Sequence, residues 1–439
     1  MSEENTVNRR KFIGTVTAAG AFIIACGRQG TSTAAVNVPP LLDQAPDGPE
    51  LKAGLVGCGG RGTGAALDFL SSGPNLRITA LADVFNDRLD RCRQTLKTEG
   101  NAEVADENCF IGFDAYQKLI DSGVDIVLLA TPPYFRPAHF EAAINARKNV
   151  FMEKPVAVDP VGARSVMTTA RKAEPLGLCV VTGTQRRHQR DYVETYKKIA
   201  SGAIGDIVSA NACWNQGQLW YRSPQRSWSE MEAMIRDWVN WCWLSGDHIV
   251  EQHVHNIDVI NWFTGFYPIK AVSFGARQRR VTGDQFDFFS TDFIYENGMH
   301  LHSMCRQING CTNNVSEFIM GTKGSSNCQN TLYKRDGSVV WSYAYPKGKS
   351  GEEGGEVKVS PYVQEHIDLV TAIRTNKPIN EAENTAISTL SAIMGRMSAY
   401  TGREVTWDEA MESSLKLGPD SFAWGSVQIN KAVPVPGKE

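Results

Sequence analysis

The glycine-rich segment at residues 57–62 constrains the fold of this chain more than any other feature. It follows a short apolar run at residues 52–57 and precedes a helical pattern at residues 63–70. In a G-x-G-x-x-G turn, the first glycine makes the bend and the second lets the backbone approach a pyrophosphate. The third lets the helix pack closely on the strand, with the pyrophosphate at the helix N-terminus. The predicted dinucleotide contacts in this turn are Gly57, Gly59, Gly60, Arg61 and Gly62.

An acidic residue follows at the end of the next predicted strand. The strand spans residues 77–82 and ends at Asp83, 21 positions beyond Gly62. This fingerprint places there the acid that binds a ribose hydroxyl. An acid favours NAD over NADP, because a carboxylate repels a 2′-phosphate, although Arg88 lies close enough in sequence to weaken that preference. The alternative role for Asp83 is to cap the next helix.

Strands and helices continue to alternate along the first half of the chain. The predicted elements are helices at residues 114–122 and 137–147 and strands at residues 124–130 and 150–152. Such alternation predicts a parallel, doubly wound sheet of the Rossmann type. Ligands of these sheets bind at the carboxyl ends of the strands, where Asp83, Thr131 and Glu153 fall.

Three motifs together resemble those of one family. They are the glycine-rich segment at residues 54–64, the run 130–133 followed by His139, and the Glu-Lys-Pro motif within residues 152–157. From about residue 51 to residue 402, the chain resembles the glucose–fructose oxidoreductase and inositol dehydrogenase family (Gfo/Idh/MocA). The further cofactor contacts that this resemblance implies are Thr131, Pro132, His139, Glu153, Lys154 and Gln185.

The lysine of the Glu-Lys-Pro motif is the first predicted catalytic residue. In the family it lies between nicotinamide and substrate, and the matching residue is Lys154. A lysine beside a cationic nicotinamide ring has a lowered pKa and assists the removal of a hydroxyl proton. The alternative is a surface lysine at a strand end, but the flanking Glu153 and Pro155 favour the catalytic role.

The second family motif has an acid, a histidine four residues later, and then an aspartate. The resemblance matches it to Glu251, His255 and Asp258. In a helix, Glu251 and His255 would lie one turn apart and face the same cleft. A carboxylate near an imidazole orients its tautomer and raises its basicity. We therefore predict that His255 is the general base and that Glu251 orients it.

The chain departs from the family pattern at two positions. Glu251 replaces an aspartate, and His253 stands where the family usually has glycine. We expect His253 in or beside the substrate pocket, and the alternative is a hydrogen-bonded core histidine. A metal site formed by Glu251, His253 and His255 would need a strand rather than the predicted helix, so we expect no metal.

The second half of the chain predicts an α+β domain with a large, mainly antiparallel open sheet. Period-2 patterns indicate strands at residues 207–214, 271–278, 290–305, 316–320 and 339–345, and amphipathic patterns indicate helices at 365–374 and 382–401. Asn297-Gly298 is a hairpin signal within residues 290–305. An open sheet face favours a homo-oligomer, either a dimer or a tetramer. The overall prediction is an α/β fold in which this domain follows the Rossmann domain.

Two residues of this half are predicted to contact substrate. Arg187 is implied by the resemblance, whereas an exposed basic turn is the alternative for its neighbours Arg186 and His188. Six of the ten Trp lie between residues 214 and 243, and aromatic faces stack on sugar rings. Trp220 lies in the polar run 216–226 and is the predicted sugar contact. The predicted core residues are Trp238, Trp241 and Trp243.

The first 50 residues predict export rather than fold. The Arg9-Arg10 pair before the apolar run 12–26 resembles a twin-arginine signal, and Cys26 ends a sequence that resembles a lipoprotein cleavage box. Residues 27–49 are typical of a flexible tether. A chance arginine pair in a frayed terminus is the alternative. We expect a periplasmic protein with a lipid on Cys26 as its one membrane attachment. The predicted segments are signal and tether 1–50, NAD-binding domain 51–184 and substrate domain 185–439.

Charge and cysteine usage narrow the range of partners. The formal net charge is −3, which gives no electrostatic argument for nucleic acid binding. The ten Cys form neither a Cys-x-x-Cys pair nor a zinc spacing, so we expect mostly small, buried apolar residues.

The resemblance and the export signal together imply a function. We expect NAD-dependent oxidation of a sugar, polyol or glycoside hydroxyl, with a tightly held cofactor, because the periplasm is not expected to supply free NAD. The first alternative is a redox-neutral glycosidase that oxidises, eliminates, hydrates and reduces again. The second is a sugar-binding protein without catalysis.

Overall fold

The computed structural model describes Val38 and residues 40–346 and 358–438. The predicted twin-arginine pair, the apolar run and Cys26 lie outside the described residues. In the described part of the chain, no helix has the length and apolar character needed to cross a membrane.

A six-stranded parallel sheet occupies the first half of the chain. Its strands are β1 (Leu51–Val56), β2 (Leu76–Asp83), β3 (Cys109–Ile111), β4 (Ile126–Leu129), β5 (Asn149–Met152) and β6 (Val180–Thr182). Their order is β3-β2-β1-β4-β5-β6, the doubly wound arrangement in which the strand order reverses between β1 and β4. The predicted Rossmann sheet is confirmed.

Helices cover this sheet and join it to the second half. They are α1 (Gly60–Ser71), α2 (Asn86–Glu99), α3 (Ala115–Asp121), α4 (Arg136–Asn145), α5 (Pro160–Ala173) and α6 (Arg190–Ala200). Helix α1 begins three residues before its predicted start, with Gly59 as its extended N-cap residue.

A nine-stranded sheet forms the second half, in the order β14-β13-β12-β11-β7-β10-β9-β8-β15. Its strands are β7 (Ile207–Gln216), β8 (Pro268–Ala276), β9 (Phe288–Tyr295), β10 (His300–Gln307), β11 (Asn314–Gly321), β12 (Gly324–Ser326), β13 (Thr331–Lys334), β14 (Val339–Ser342) and β15 (Val405–Thr406). Strands β7 and β10 pair in parallel, and the other neighbours pair antiparallel. The predicted hairpin is β9–β10, in which Gly298 adopts a φ of 79°.

The helices of the second half are α7 (Glu230–Arg236), α8 (Cys242–Ser245), α9 (His248–Glu251), α10 (Val254–Thr264), α11 (Pro361–Arg374), α12 (Ala382–Thr401) and α13 (Trp407–Glu412). Helices α9, α10, α12 and α13 pack on this sheet, and α11 packs on the Rossmann half. One apolar cluster contains Met152 of β5, Ile257 of α10, Phe293 of β9 and Leu390 of α12. The described residues from 40 onward accordingly form one compact unit, and the boundary at residue 184 stays a prediction.

The cysteines behave mostly as predicted. Among the nine described cysteines, seven are buried, Cys109 is partly buried and Cys311 is exposed, and all nine are free thiols.

Candidate active site

The glycine turn after β1 is built for close approach. Gly57 has a φ of +99°, and a Cβ on it would lie 2.7 Å from the backbone carbon of Ala130. A Cβ on Gly62 would lie 1.9 Å from the carbonyl oxygen of Gly57, so this position accepts only glycine. A Cβ on Gly60 would meet nothing within 4 Å. The start of α1 thus offers open space beside backbone N–H groups, as a pyrophosphate requires.

Asp83 fixes the neighbouring corner of the turn. Its carboxylate accepts hydrogen bonds from the backbone N–H of Cys58 at 2.7 Å and of Phe85 at 2.8 Å. Burial raises the pKa of this carboxyl group, although the two N–H donors oppose the shift. Asp83 therefore lies where an acid can accept hydrogen bonds from ribose hydroxyls, and Arg88 lines the same cavity.

The cavity at the carboxyl ends of the strands collects six of the twelve predicted cofactor contacts. The predicted residues that line it are Gly57, Gly59, Asp83, Thr131, Pro132 and His139. The second half of the chain adds Ile235 of α7 and Trp238. Trp238 is thus a wall of this cavity as well as a packing residue, which corrects its assignment to the core alone.

Three buried polar atoms at this edge of the sheet have no hydrogen-bond partner in the described residues. They are Thr131 Oγ1, His139 Nδ1 and Gln185 Oε1. Burial and the charge of Arg136 lower the pKa of His139 to about 3, so its ring is neutral. Buried polar atoms are rarely left unpaired. Their positions, together with the glycine turn, fit a dinucleotide that would satisfy them.

Arg61 and Glu153 contact each other rather than the cavity. Arg61 Nε donates to Glu153 Oε1, and Arg61 Nη1 lies 3.0 Å from Asp68 Oδ2. The Nη2 atom lies 3.7 Å from the buried carboxylate of Glu365. The structure therefore gives these two side chains a positioning role, because they hold α1 against the Glu-Lys-Pro segment.

Arg136, which was not a predicted site residue, also positions the Glu-Lys-Pro segment. Its Nη1 donates to the carbonyl oxygens of Glu153 at 3.0 Å and Pro155 at 2.6 Å. Burial lowers its pKa to about 10. The available signal was its spacing, since Arg136 precedes His139 by three residues on α4 and so shares its face.

Lys154 is buried and paired with Glu251. Its Nζ donates to the carbonyl oxygen of Glu251 and lies 3.2 Å from Glu251 Oε1. The other carboxylate oxygen accepts from Gln252. The ammonium group therefore has a fixed position at the carboxyl end of β5.

Residues 251–258 are not one continuous helix, which corrects the geometry behind the second motif. Helix α9 ends at Glu251, and α10 begins at Val254 with His253 as its N-cap residue. Among the described residues, no hydrogen bond joins Glu251 to His255. In this structure Glu251 positions Lys154, and its orienting effect on His255 stays a prediction.

His255 stacks on a tryptophan that was not predicted as a site residue. The ring centroids of His255 and Trp214 lie 5.5 Å apart with an interplanar angle of 21°. Burial, followed by the positive charge of Lys154, lowers the pKa of His255 well below its usual value. The imidazole is therefore neutral, and the lowered pKa makes it a weaker base than a free imidazole. Trp214 was visible only as the end of a predicted strand.

His253 is a core residue, as the alternative stated, and does not line a pocket. Its exposed fraction is 0%, and its Nε2 lies 2.6 Å from the Ser303 hydroxyl on β10. Burial lowers its pKa to about 3. In the part of the chain that the structure describes, no three His, Cys, Asp or Glu residues are grouped to hold a metal ion.

The other two predicted substrate contacts also lie elsewhere. Arg187 donates from Nε and Nη2 to the carboxylate of Asp258 at 2.8 and 2.9 Å. This pair joins the end of the Rossmann half to α10. Trp220 is 43% exposed, and its ring meets Trp238 edge-on at 6.1 Å. It therefore contacts a residue that lines the cavity but does not line the cavity itself.

The matches to known families follow the two halves of the chain. Residues 51–181 match the model described as "Oxidoreductase family, NAD-binding Rossmann fold", and residues 192–327 match the "GFO/IDH/MocA C-terminal domain". The chain belongs to the Gfo/Idh/MocA oxidoreductase family. Residues 51–181 are accordingly its NAD-binding region.

The names of two relatives of this Gfo/Idh/MocA protein refer to different reactions of sugar-like molecules. A glycosyl hydrolase family 109 protein from Streptomyces coelicolor is 24% identical over 48% of this chain and 45% of its own. A scyllo-inositol 2-dehydrogenase (NADP(+)) from Bacillus subtilis is 27% identical over 40% and 44%. The chain thus matches less than half the length of each.

A solved structure shows the same fold over most of the chain. Scyllo-inositol dehydrogenase from Lactobacillus casei, with bound NAD(H) and scyllo-inositol, has a TM-score of 0.60. It is 20% identical, and the match covers 81% of this chain and 99% of the other.

Proposed function

We propose that this protein oxidises a hydroxyl group of a sugar, polyol or glycoside, with NAD as the acceptor of the hydrogen. The observation that carries the proposal is that Glu251, which holds Lys154 at the carboxyl end of β5, lies four residues before the buried, neutral His255. Lys154 and His255 are close enough for the charge of Lys154 to lower the pKa of His255. A sheet that only bound a dinucleotide would not need this pair.

The two groups divide the proton chemistry. NAD, when bound, supplies the acceptor for the carbinol hydrogen and its two electrons. The His255 imidazole accepts the proton of the hydroxyl group, while the Lys154 ammonium stabilises negative charge on the oxygen. Glu251 keeps the Lys154 Nζ in place through contacts from its carbonyl and carboxylate oxygens.

The substrate class rests on the relatives. The names of two relatives refer to an inositol and to glycosides, both of which are rich in secondary hydroxyl groups. We propose the same class here, with the identity of the sugar and of the oxidised carbon left to experiment.

Retention of the cofactor is part of the proposal. The arginine pair at residues 9–10 and Cys26 support export as a folded protein and a lipid anchor. Outside the cytoplasm, NAD that stays bound would have to be recycled in place, by reduction of a second sugar or of the same molecule.

Assembly into a dimer or tetramer through the open sheet face is also part of the proposal. Phe274, which is 72% exposed on β8, supports it.

A second candidate function is a redox-neutral glycosidase. The match to the glycosyl hydrolase family 109 protein favours it. Oxidation of a hydroxyl group to a ketone acidifies the C–H bond on the neighbouring carbon. A base can then remove that proton and eliminate the glycosidic group. Water adds to the product, and the same bound cofactor reduces the ketone again.

The test is the near-ultraviolet absorbance of reduced nicotinamide in protein loaded with NAD, measured against a panel of sugars, inositols and aryl glycosides. A rise with a sugar supports the dehydrogenase. Release of the aryl group without a net rise supports the glycosidase. No rise and no release with any compound would contradict both and favour a sugar-binding protein.

A further inference from the structure

The last segment of the chain packs against residues that line the cofactor cavity. Residues 413–438 lie beyond both family matches, which end at residues 181 and 327. After α13, the backbone N–H of Leu417 donates to Asp159 Oδ2 at 2.8 Å. A Cβ on Gly418 would lie 2.6 Å from the Tyr134 ring, so the segment is closely packed from this point.

Two aromatic rings of this segment pack on the Rossmann loops. The Trp424 ring lies 4.9 Å from Phe113 and 5.6 Å from Phe85, and the Phe422 ring lies 5.2 Å from Phe135. All three loop phenylalanines line the cavity. They follow β2, β3 and β4, whose carboxyl ends form its floor. The segment therefore supports the Rossmann wall of the cavity from behind.

The same segment also holds the opposite wall. The backbone N–H of Met231 on α7 donates to the Gly425 carbonyl oxygen at 3.0 Å. Glu230, at the start of α7, accepts from the backbone N–H of Val427 at 2.7 Å and pairs with Lys431. Helix α7 carries Ile235, which lines the cavity from the substrate half.

We propose that residues 417–431 form a strap that keeps NAD bound by clamping α7 against the Rossmann loops. This inference deepens the proposed function, since it rests on a retained cofactor. One direct link between the walls is the ion pair of Arg236 on α7 with Asp87 on α2, at 2.9 Å. NAD leaves only when the walls separate, and the strap must release one of them first. Phe422 and Trp424 are positioning residues, because neither lines the cavity.

The aromatic contacts of the strap are only partly buried, since Phe422 is 37% exposed and Trp424 is 48% exposed. Their loss would weaken the clamp without opening the apolar core.

The first test measures release of NADH from loaded protein after mixing with excess NAD, followed by the fluorescence of bound NADH. The double variant Phe422→Ala/Trp424→Ala should release NADH at least tenfold faster than wild type. Phe266→Ala is the matched control, with the same exposed fraction of 37% at a site outside the strap. It should release NADH at the wild-type rate. Equal rates for the double variant and wild type would overturn the proposal.

The second test uses the wild-type chain, so it does not depend on how the variant folds. If the strap slows NAD release by stabilising the bound state, then bound NAD must stabilise the strap by the same free energy. Hydrogen exchange of the amides of Met231 and Val427 should therefore slow on adding NAD. Unchanged exchange at both would contradict the strap. Both tests omit sugar, so failure of hydroxyl oxidation leaves their outcome unaffected.

Discussion

At the scale of single residues, burial sets the charge of the candidate base, His255. His255 is neutral because it is buried beside a cation, whereas Lys154 has a carboxylate partner in Glu251. A neutral imidazole next to a held ammonium suits removal of a hydroxyl proton, because one group accepts it and the other stabilises the oxygen.

Replacement of Lys154 tests this division. Lys154→Ala should lower kcat by about 10²–10⁴, the range for a lost acid–base or electrostatic group, while NAD still binds. The dinucleotide cradle should survive, because its glycines and Asp83 do not contact the lysine side chain. Steady-state kinetics and NAD titration check both parts. Wild-type turnover in the variant would remove Lys154 from the mechanism.

His253 should make the protein sensitive to acid. Its pKa is about 3 in the folded chain and 6.5 as its usual value, so below pH 6.5 only the unfolded chain takes up this proton. The unfolding free energy should then fall by about 1.4 kcal/mol per pH unit for this group. Urea unfolding at pH 7, 6 and 5 checks this. Below pH 6.5, the unfolding free energy of His253→Asn should fall less steeply than that of wild type, by about 1.4 kcal/mol per pH unit. The exposed His302→Asn should follow wild type, and a parallel curve for His253→Asn would refute the assignment.

The sequence predicted the site residues that belong to motifs at strand ends. Asp83 and Lys154 lie on the same edge of the sheet because they follow the carboxyl ends of the parallel strands β2 and β5. Trp214 and Arg136 could not be predicted in the same way. Their roles depend on contacts with His255 and Glu153, which only the packing of distant segments creates.

At the scale of elements, the buried pair of Arg187 and Asp258 links the two halves of the chain. It joins the turn after β6 to α10, and Asp258 also accepts from the Ser388 hydroxyl on α12. A buried charge left without its partner is costly, about 3–5 kcal/mol. The pair is therefore a structural connection rather than a substrate contact.

Arg187→Met should accordingly lower the unfolding free energy by about 3 kcal/mol or more, with a smaller loss in the double variant Arg187→Met/Asp258→Asn. Chemical denaturation checks both. A raised KM with unchanged stability in the single variant would instead restore Arg187 as a substrate contact.

Element types were predictable where periodicity was strong, but one break and six helices were missed, namely α2, α5, α6, α7, α8 and α13. Helix α2 is largely polar and buries only Leu89, Cys92 and Leu96, so its apolar stripe is narrow. The break before α10 has no periodic signal. His253 reaches across to Ser303 at that point, which is a tertiary interaction that helical spacing cannot show.

At the scale of the whole molecule, both halves contribute to one cavity. The Rossmann half supplies the glycine turn and strand ends, and the substrate half supplies Ile235 of α7 and Trp238. The C-terminal segment then supports both cavity walls. The arrangement accounts for a cofactor that is held by more than its own binding domain.

The most direct test of the central claim follows the carbon-bound hydrogen. Protein loaded with NAD is mixed with a sugar from the active set, deuterated at its carbinol carbons, then quenched, and the nicotinamide is analysed by mass spectrometry. Hydroxyl oxidation predicts one deuterium on the extracted nicotinamide in wild type and much less in Lys154→Ala. Unlabelled nicotinamide in wild type, with an oxidised product formed and no deuterium transferred to a second sugar, would contradict the account.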